Sequence, residues 1–133
     1  MKNLNEKALL ITGEAPTGKS LLAKMIATYF KSPLFLSAKN LNPDEPVRWG
    51  EAPDVIIIDD IKAKDLEKTY NWISEGVFIK KLYQDVFKVH PKIIVTSGDP
   101  KIKDCFIGAS FFERFHVIEL AQPAQEVITY YRQ

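Results

Sequence analysis

The stretch T-G-E-A-P-T-G-K-S, residues 12–20, decides the fold of this chain because it joins two segments of different character. Before it, residues 7–13 read K-A-L-L-I-T-G, a short apolar run ended by glycine that is typical of a buried parallel strand. After it, residues 19–31 carry apolar side chains at helical spacing, which predicts a helix with one buried face. These are Leu21, Leu22, Met25, Ile26, Tyr29 and Phe30.

The loop between strand and helix matches G-x-x-x-x-G-K-[ST], the Walker A pattern of P-loop proteins. Gly13 and Gly18 permit backbone angles that point successive N–H groups at phosphate oxygens, and the helix start adds partial positive charge. Lys19 suits the β- and γ-phosphates, and the Ser20 hydroxyl suits Mg²⁺. We therefore predict ATP and Mg²⁺ as cofactors rather than a turn that merely needs glycine. The predicted nucleotide-binding residues are Gly13, Glu14, Ala15, Pro16, Thr17, Gly18, Lys19, Ser20 and Leu21.

A second polar cluster follows another apolar run. Residues 54–60 read D-V-I-I-I-D-D, which predicts a central strand with Asp59 and Asp60 at its carboxyl end. Ligands of open α/β sheets bind at that edge. We predict that Asp59 holds Mg²⁺ through water, as a Walker B acid does, and that Asp60 is the general base. A strand-ending turn rich in aspartate is the alternative. Paired acids favour hydrolysis over phosphoryl transfer to a small acceptor.

The remaining elements alternate in the same way. Strands are predicted over 33–38, 92–98 and 115–120, and a helix over 63–75, with a hairpin within 77–90. The proline-rich segment 40–54 is predicted to be a surface connection. Strands separated by crossovers predict an α/β fold with a mostly parallel central sheet. At 133 residues, the chain is most simply one domain.

Composition limits the partners and the compartment. The net charge of +1 gives no strong overall field, so any contact with nucleic acid must come from a local basic patch. The single cysteine, Cys105, cannot form an internal disulfide, which fits a reducing compartment. No apolar run approaches the ~20 residues of a membrane span, and no membrane partner is predicted. We expect an intracellular protein, in the cytoplasm or, if viral in a eukaryote, in the host nucleus.

Four motifs together carry a family resemblance. In chain order GEAPTGKS, VIIIDD, KIIVTS and FFERF resemble superfamily 3 helicase domains. The resemblance is greatest to the ATPase part of replication initiator (Rep) proteins of small circular single-stranded DNA viruses and related plasmids. It covers roughly residues 7–120. It implies a three-layer P-loop NTPase fold of the AAA+ kind and an ATPase and DNA helicase motor in replication. It also implies a homo-oligomeric, hexameric ring and single-stranded DNA as partner.

The resemblance also implies roles for residues near the end of the chain. In AAA+ ATPases, a polar residue at the tip of the strand between the P-loop strand and the Walker B strand senses the γ-phosphate. Ser97 is the candidate for that catalytic role here, beside Thr96 and Asp99. Arg114 stands where such rings place an arginine finger that reaches the neighbouring subunit's nucleotide. A solvated or locally paired arginine is the alternative.

Superfamily 3 proteins carry a basic β-hairpin that grips DNA in the ring's pore. Residues 76–90, G-V-F-I-K-K-L-Y-Q-D-V-F-K-V-H, lie at the matching place. The candidate phosphate contacts are Lys80, Lys81, Lys88 and His90, with Phe78, Tyr83 and Phe87 interleaved. A solvated charged face is the alternative for these residues.

The chain departs from the family in three respects. The sensor strand of the family usually ends T-S-N, and here Gly98 replaces the asparagine. Glycine has no side chain to bind the γ-phosphate or the water, so Ser97 or Asp99 must substitute, or hydrolysis is slow. Nothing resembles the family's upstream nickase domain or the AAA+ helical lid. The chain is then either one domain of a longer replication protein or a stand-alone ATPase.

Two other function classes stay open. A helicase loader or another regulatory AAA+ ATPase would bind a protein partner and would not need the lysines of residues 76–90 for DNA. A nucleotide or small-molecule kinase fits less well, because an arginine-rich lid and an acceptor-site pattern are not evident in the sequence.

Overall fold

The computed structural model describes residues 7–13, 18–41, 47–48, 52–80, 85–106, 111 and 113–120. The strands in this part of the chain are β1 (Ala8–Thr12), β2 (Pro33–Ser37), β3 (Val47–Arg48), β4 (Val55–Asp59), β5 (Val77–Lys80), β6 (Phe87–Val89), β7 (Lys92–Ser97) and β8 (Phe115–Glu119). Within it, a parallel sheet has the order β2-β4-β7-β1-β8, and β3, β5 and β6 form a second sheet. The parallel sheet confirms the predicted α/β class.

Strands β1, β4 and β7 lie at the centre of the parallel sheet because they are apolar on both faces. All five residues of β1 and the first four of β4 are buried. Val95 of β7 lies in register with Leu10 on one side and Ile58 on the other. The three strands therefore end at one edge of the sheet, which we call the carboxyl edge (residues 12–13, 59–61 and 96–99). Strand β7 lies between β1 and β4, as predicted.

One face of the sheet is covered by helix α1 (Lys19–Ala27). Ala23 and Ala27 are buried against the sheet, and their small side chains let the helix approach closely. The helix ends earlier than the predicted residue 31. The Thr28 hydroxyl donates to the Met25 carbonyl at 2.6 Å, and the amides of Tyr29 and Phe30 bond three residues back, which tightens the last turn.

The other face is covered by short helical segments. The helix predicted over 63–75 is a 3₁₀ helix, Ala63–Thr69, followed by helix α2 (Tyr70–Ser74). The Thr69 hydroxyl donates to the Leu66 carbonyl three residues earlier, which matches the tighter 3₁₀ spacing. A second 3₁₀ helix, Pro100–Cys105, follows β7. The helices that the structure describes are all too short, or not apolar enough, to span a membrane.

The second sheet contains the predicted hairpin. Strands β5 and β6 pair antiparallel, with Phe78 opposite Lys88. Gly76 before β5 has φ 98°, and a Cβ there would lie 2.7 Å from the Val89 carbonyl oxygen, so only glycine fits. The prediction of a plain connection over 40–54 was wrong in one respect, because Val47–Arg48 forms β3 and pairs parallel with β5. A two-residue strand is too short to produce a sequence period.

Candidate active site

The carboxyl edge brings together the residues on either side of the predicted phosphate-binding loop. Gly18 has φ 81°, a left-handed conformation that suits glycine, and its carbonyl accepts the first hydrogen bond of α1, from the Leu22 amide at 3.0 Å. The preceding amides of the helix are therefore at its N-terminus, where anions bind favourably. Residues 14–17, which include Glu14, Ala15, Pro16 and Thr17 of the predicted loop, lie outside the described residues.

The Lys19 side chain runs from the start of α1 to the tip of β7. Its Nζ atom lies 3.5 Å from the position that a Cβ on residue 98 would occupy. Gly98 therefore provides the surface against which this ammonium group lies. The arrangement keeps the positive charge at the carboxyl edge, where the sequence predicts phosphates.

Ser20 and Asp59 meet across the same edge. The Ser20 Oγ donates a hydrogen bond to Asp59 Oδ1 at 2.7 Å, although the two residues are 39 positions apart. Two oxygens this close can both face one Mg²⁺ ion, which takes oxygen ligands at about 2.1 Å. The described residues contain no group of three or more histidine, cysteine or acidic side chains placed to hold a metal. A site with one hydroxyl and one carboxylate still fits Mg²⁺, which keeps several waters and binds substrate phosphates.

Asp60 has an unusual backbone conformation. Its φ of 60° is left-handed, which aspartate tolerates better than most residues. Its amide donates to Thr96 Oγ1 at 2.9 Å, and the same hydroxyl donates to Asp59 Oδ1 at 2.7 Å. The Asp60 side chain itself is exposed. The two predicted acids are thus tied to one threonine while the second carboxylate faces solvent, as a base that activates water requires.

Sequence reasoning named Thr96 at the end of its strand but gave it no role. The register of the sheet supplies that role, because Ile58 pairs with Val95 and so brings Asp59 beside Thr96. Thr96 is 1% exposed, so its hydroxyl needs partners within the protein. The only sequence signal was a polar residue at the end of a strand that is otherwise apolar.

The predicted sensor residues are hydrogen-bonded to backbone groups. Ser97 is fully buried, and its hydroxyl donates to the Ile61 carbonyl at 2.7 Å. The Asp99 carboxylate accepts from the amides of Ala63 at 2.9 Å and Lys101 at 3.0 Å. These two backbone hydrogen bonds, with a smaller contribution from nearby lysines, hold the pKa of Asp99 below its ordinary value. The sensor role of Ser97 stays a prediction, and this placement does not favour it.

A cleft of about 560 Å³ opens beside the two acids, between α1 and the ends of β2 and β4. Asp59, Asp60, Ser20 and Phe35 line it. Lys24 and Lys39 also line it, so both signs of charge are present. The cleft gives water access to the exposed Asp60 carboxylate.

Arg114 lies at the opposite edge of the sheet from Lys19. It precedes Phe115, which pairs with Ala8 at the amino end of β1. Four residues of extended strand separate Ala8 from Thr12, or about 13 Å at about 3.3 Å per residue. The half-buried Arg114 guanidinium has its Cζ 5.0 Å from the centre of the Tyr70 ring. Arg114 is therefore remote from the carboxyl edge of its own chain, and its role as a finger stays a prediction.

The hairpin groups three of its four predicted DNA contacts on one exposed surface. We call this surface the hairpin face, formed by Phe78, Lys80, Lys88 and His90. Alternation along β5 and β6 places these side chains outward and Val77, Ile79, Phe87 and Val89 toward the core. The Lys88 Nζ lies 5.1 Å from the centre of the Phe78 ring. Lys81 and Tyr83 lie outside the described residues.

Comparison with known proteins supports the fold. No protein-family model matches the chain, and no curated protein matches it. Among solved structures, two apo structures of the C-terminal region of NrS-1 are similar. One has a TM-score of 0.60 at 20% sequence identity, and the other has 0.64 at 23%. Each match covers 92% of this chain and 30% of the NrS-1 chain, so this chain spans less than a third of that length. The similarity shows a shared α/β fold.

Proposed function

We propose that this chain is the ATP-hydrolysing motor domain of a superfamily 3-type helicase that acts in DNA replication. The observation that carries the proposal is the 2.7 Å hydrogen bond from Ser20 to Asp59. It joins the last residue of the Walker A pattern to the first acid of the Walker B pattern. A turn that needs only its glycines would give no reason for this pairing. The position of β7 between β1 and β4 supports the same function.

The start of α1 and the acids of the carboxyl edge have separate tasks in the proposed reaction. Bound Mg²⁺·ATP supplies the scissile phosphate bond and a metal charge that offsets developing negative charge. The N-terminus of α1 and Lys19 bind and orient the phosphates. Ser20 would hold Mg²⁺ through its hydroxyl, and Asp59 would hold it through water. Asp60 orients the attacking water and accepts its proton.

The proposal includes slow hydrolysis in the isolated subunit. At the tip of β7, Gly98 has no side chain to offer, and the hydroxyl of Ser97 and the carboxylate of Asp99 are bound to backbone groups. The missing stabilisation of the γ-phosphate comes from Arg114 of a neighbouring subunit in a hexameric ring. An arginine there suits the charge that develops on the γ-phosphate.

Single-stranded DNA is the proposed nucleic-acid partner, bound by the hairpin face. Single strands bind where cationic side chains track the phosphates and aromatic rings stack on bases. Lys80, Lys88 and His90 provide the first kind of group, and Phe78, which is 52% exposed, provides the second. The near-neutral charge of the whole chain makes this local patch the place for the contact.

Steady-state ATP turnover tests the proposal, with and without single-stranded DNA, on protein of measured oligomeric state. We expect wild-type turnover that DNA stimulates. Lys19→Ala should abolish turnover and weaken ATP binding, because the positive charge of the lysine beside the β- and γ-phosphates is lost. Lys31→Ala is the matched control, since Lys31 is an exposed lysine beyond the far end of α1. Turnover of Lys19→Ala within twofold of wild type would rule out the P-loop interpretation.

One observation favours a second candidate, a helicase loader or regulatory ATPase that binds a protein. The prediction that Leu21, Met25 and Tyr29 lie on the buried face of the helix was wrong. Leu21 and Met25 on α1 and Tyr29 two residues beyond it are 40%, 45% and 89% exposed. Exposed apolar groups on one side of a helix mark surfaces for protein partners. Such a protein would hydrolyse ATP without stimulation by DNA, and charge changes on the hairpin face would leave its turnover unaltered.

A further inference from the structure

Thr96 connects the two acids of the carboxyl edge through a single hydroxyl. The hydroxyl donates to Asp59 Oδ1 at 2.7 Å and accepts from the Asp60 amide at 2.9 Å. One hydroxyl therefore touches the side chain of one acid and the backbone of the other. Since Thr96 is buried, water does not compete for either bond.

The backbone of Thr96 holds the same turn. Its carbonyl accepts a hydrogen bond from the Ile61 amide at 2.8 Å. The segment after β4 is thus fixed to β7 at two successive amides, those of Asp60 and Ile61. The first of these amides belongs to the residue with the left-handed φ, a conformation that needs support from its surroundings. The Thr96 hydroxyl and carbonyl provide that support, because they bind the amides on either side of the Asp60 Cα, from which the side chain leaves the backbone.

The Asp59 carboxylate is oriented in a similar way. Two hydroxyl donors, from Ser20 and Thr96, converge on its Oδ1 atom, each at 2.7 Å. Ser20 would partly lose its hydrogen bond to Asp59 on binding a metal, whereas Thr96 has no metal to bind and would keep its hydrogen bond. The Thr96 bond would therefore hold the Asp59 carboxylate in place when Mg²⁺ binds as well.

We propose that Thr96 is a positioning residue for the hydrolysis of ATP. Its hydroxyl holds Asp59 in place for Mg²⁺ and Asp60 in place for the attacking water. This inference rests on the proposed function of the carboxyl edge. Thr96 itself touches neither the substrate nor the reacting atoms, so its removal should affect turnover and metal dependence more than nucleotide affinity.

The experiment compares Thr96→Val with Thr96→Ser. Valine keeps the shape and the strand preference but lacks the hydroxyl, and serine keeps the hydroxyl. We expect kcat to fall about tenfold or more in Thr96→Val, on the scale of a misplaced catalytic group. The Mg²⁺ concentration for half-maximal turnover should rise several-fold, and ATP affinity should stay within about twofold of wild type. Thr96→Ser should restore most of kcat and the Mg²⁺ dependence.

Thr69→Val is the matched control. Thr69 is also fully buried, and its hydroxyl donates to the Leu66 carbonyl, away from the carboxyl edge. We expect it to lower thermal stability without changing kcat or the Mg²⁺ dependence of the folded protein. Equal losses of kcat in Thr69→Val and Thr96→Val would overturn the proposal, as would wild-type kcat in Thr96→Val. If the valine variant does not fold, Thr96→Ala gives the same comparison with a smaller side chain.

Amide hydrogen exchange separates this inference from the proposed function, because it needs no enzyme activity. The Asp60 amide should exchange about tenfold faster or more in Thr96→Val, with wild-type protection in Thr96→Ser and Thr69→Val. Wild-type protein that lacks ATP turnover would refute the proposed function. Loss of protection confined to Thr96→Val would still establish that the Thr96 hydroxyl holds the Asp60 backbone. Unchanged protection at Asp60 in Thr96→Val would overturn this role of the Thr96 hydroxyl.

Discussion

The carboxyl edge and the hairpin face hold their polar groups in different ways. At the carboxyl edge, the buried Thr96 ties Asp59 to the Asp60 backbone with bonds of 2.7 and 2.9 Å. On the hairpin face, Lys80 and Lys88 are exposed, and Lys88 lies over the Phe78 ring. Chemistry needs groups fixed before the substrate arrives, because reorganisation adds to the barrier. A flexible polymer such as single-stranded DNA is bound better by mobile charges that adapt to its phosphates.

Because of this difference, substitutions in the two regions should change different measured quantities. Changes at the carboxyl edge should alter turnover with little dependence on salt, because buried hydrogen bonds are weakly screened. Changes on the hairpin face should alter DNA affinity with strong dependence on salt, because exposed charges act by releasing counterions.

Arg114 provides the largest expected effect, and it lies outside both regions. If it acts in a neighbouring subunit, Arg114→Ala should lower turnover about 10³-fold or more. Wild-type turnover per subunit should rise with protein concentration as rings form. A mixture of Lys19→Ala and Arg114→Ala subunits should recover activity, because some interfaces then combine an intact Lys19 with an intact Arg114.

Each of these variants alone is the control for the mixture. Turnover by a proven monomer that does not depend on concentration or on Arg114 would exclude the finger in trans. Arg114 would then act within its own chain, where it packs on the Tyr70 ring.

Asp60 should show the next largest effect. Asp60→Asn should lower hydrolysis about 10²-fold or more, the scale of a lost general base, while ATP binding stays near wild type. Asparagine also tolerates the left-handed φ of 60°, so the turn is preserved. Asp59→Asn should instead raise the Mg²⁺ concentration needed for turnover. A larger loss of kcat from Asp59→Asn than from Asp60→Asn would show that the two roles are reversed.

The hairpin face should respond through DNA affinity. Combined Lys80→Ala and Lys88→Ala should weaken single-stranded DNA binding about tenfold at low salt. The slope of log affinity against log salt should fall by about 1.4, or about 0.7 for each lost phosphate contact. The control is the double variant Lys31→Ala and Lys64→Ala, which removes the same charge from exposed positions elsewhere. Equal weakening by both pairs would make the hairpin face an ordinary solvated surface.

Gly98→Asn should increase turnover, by several-fold. A Cβ at residue 98 would lie 3.5 Å from Lys19 Nζ, an ordinary contact, so the side chain can be accommodated. An amide there would reach the region where the γ-phosphate and the water are proposed to lie. Gly98→Ala adds the Cβ without the amide and should leave turnover near wild type. Lower turnover in both variants would mean that Lys19 needs the space beside Gly98.

The sequence was sufficient for features that depend on neighbouring residues or on buried strands. Apolar runs before Asp59 and Ser97 predicted the central strands, and the loop before Lys19 predicted the edge at which they meet. It could not predict side-chain contacts that depend on the register between strands far apart in the sequence. Thr96 and Ser97 face opposite ways because residues alternate along a strand, and only the pairing of Ile58 with Val95 shows which of them meets Asp59. The short strand Val47–Arg48 likewise depends on its partner β5.

Asp99 should show the smallest effect, on stability and not on turnover. Its carboxylate caps the 3₁₀ helix Pro100–Cys105 through the Lys101 amide and also binds the Ala63 amide, so its pKa is lowered from 3.8. A carboxyl group with a depressed pKa stabilises the fold above its unfolded pKa, and loses that contribution as the pH falls through its folded pKa. Asp99→Ala should therefore lower Tm slightly at pH 7, with kcat unchanged, and the difference from wild type should shrink below about pH 4. Asp104→Ala is the control, because Asp104 is an exposed acid of the same 3₁₀ helix. If Asp99→Ala lowers kcat at unchanged Tm, Asp99 acts in the reaction and is more than a cap of this helix.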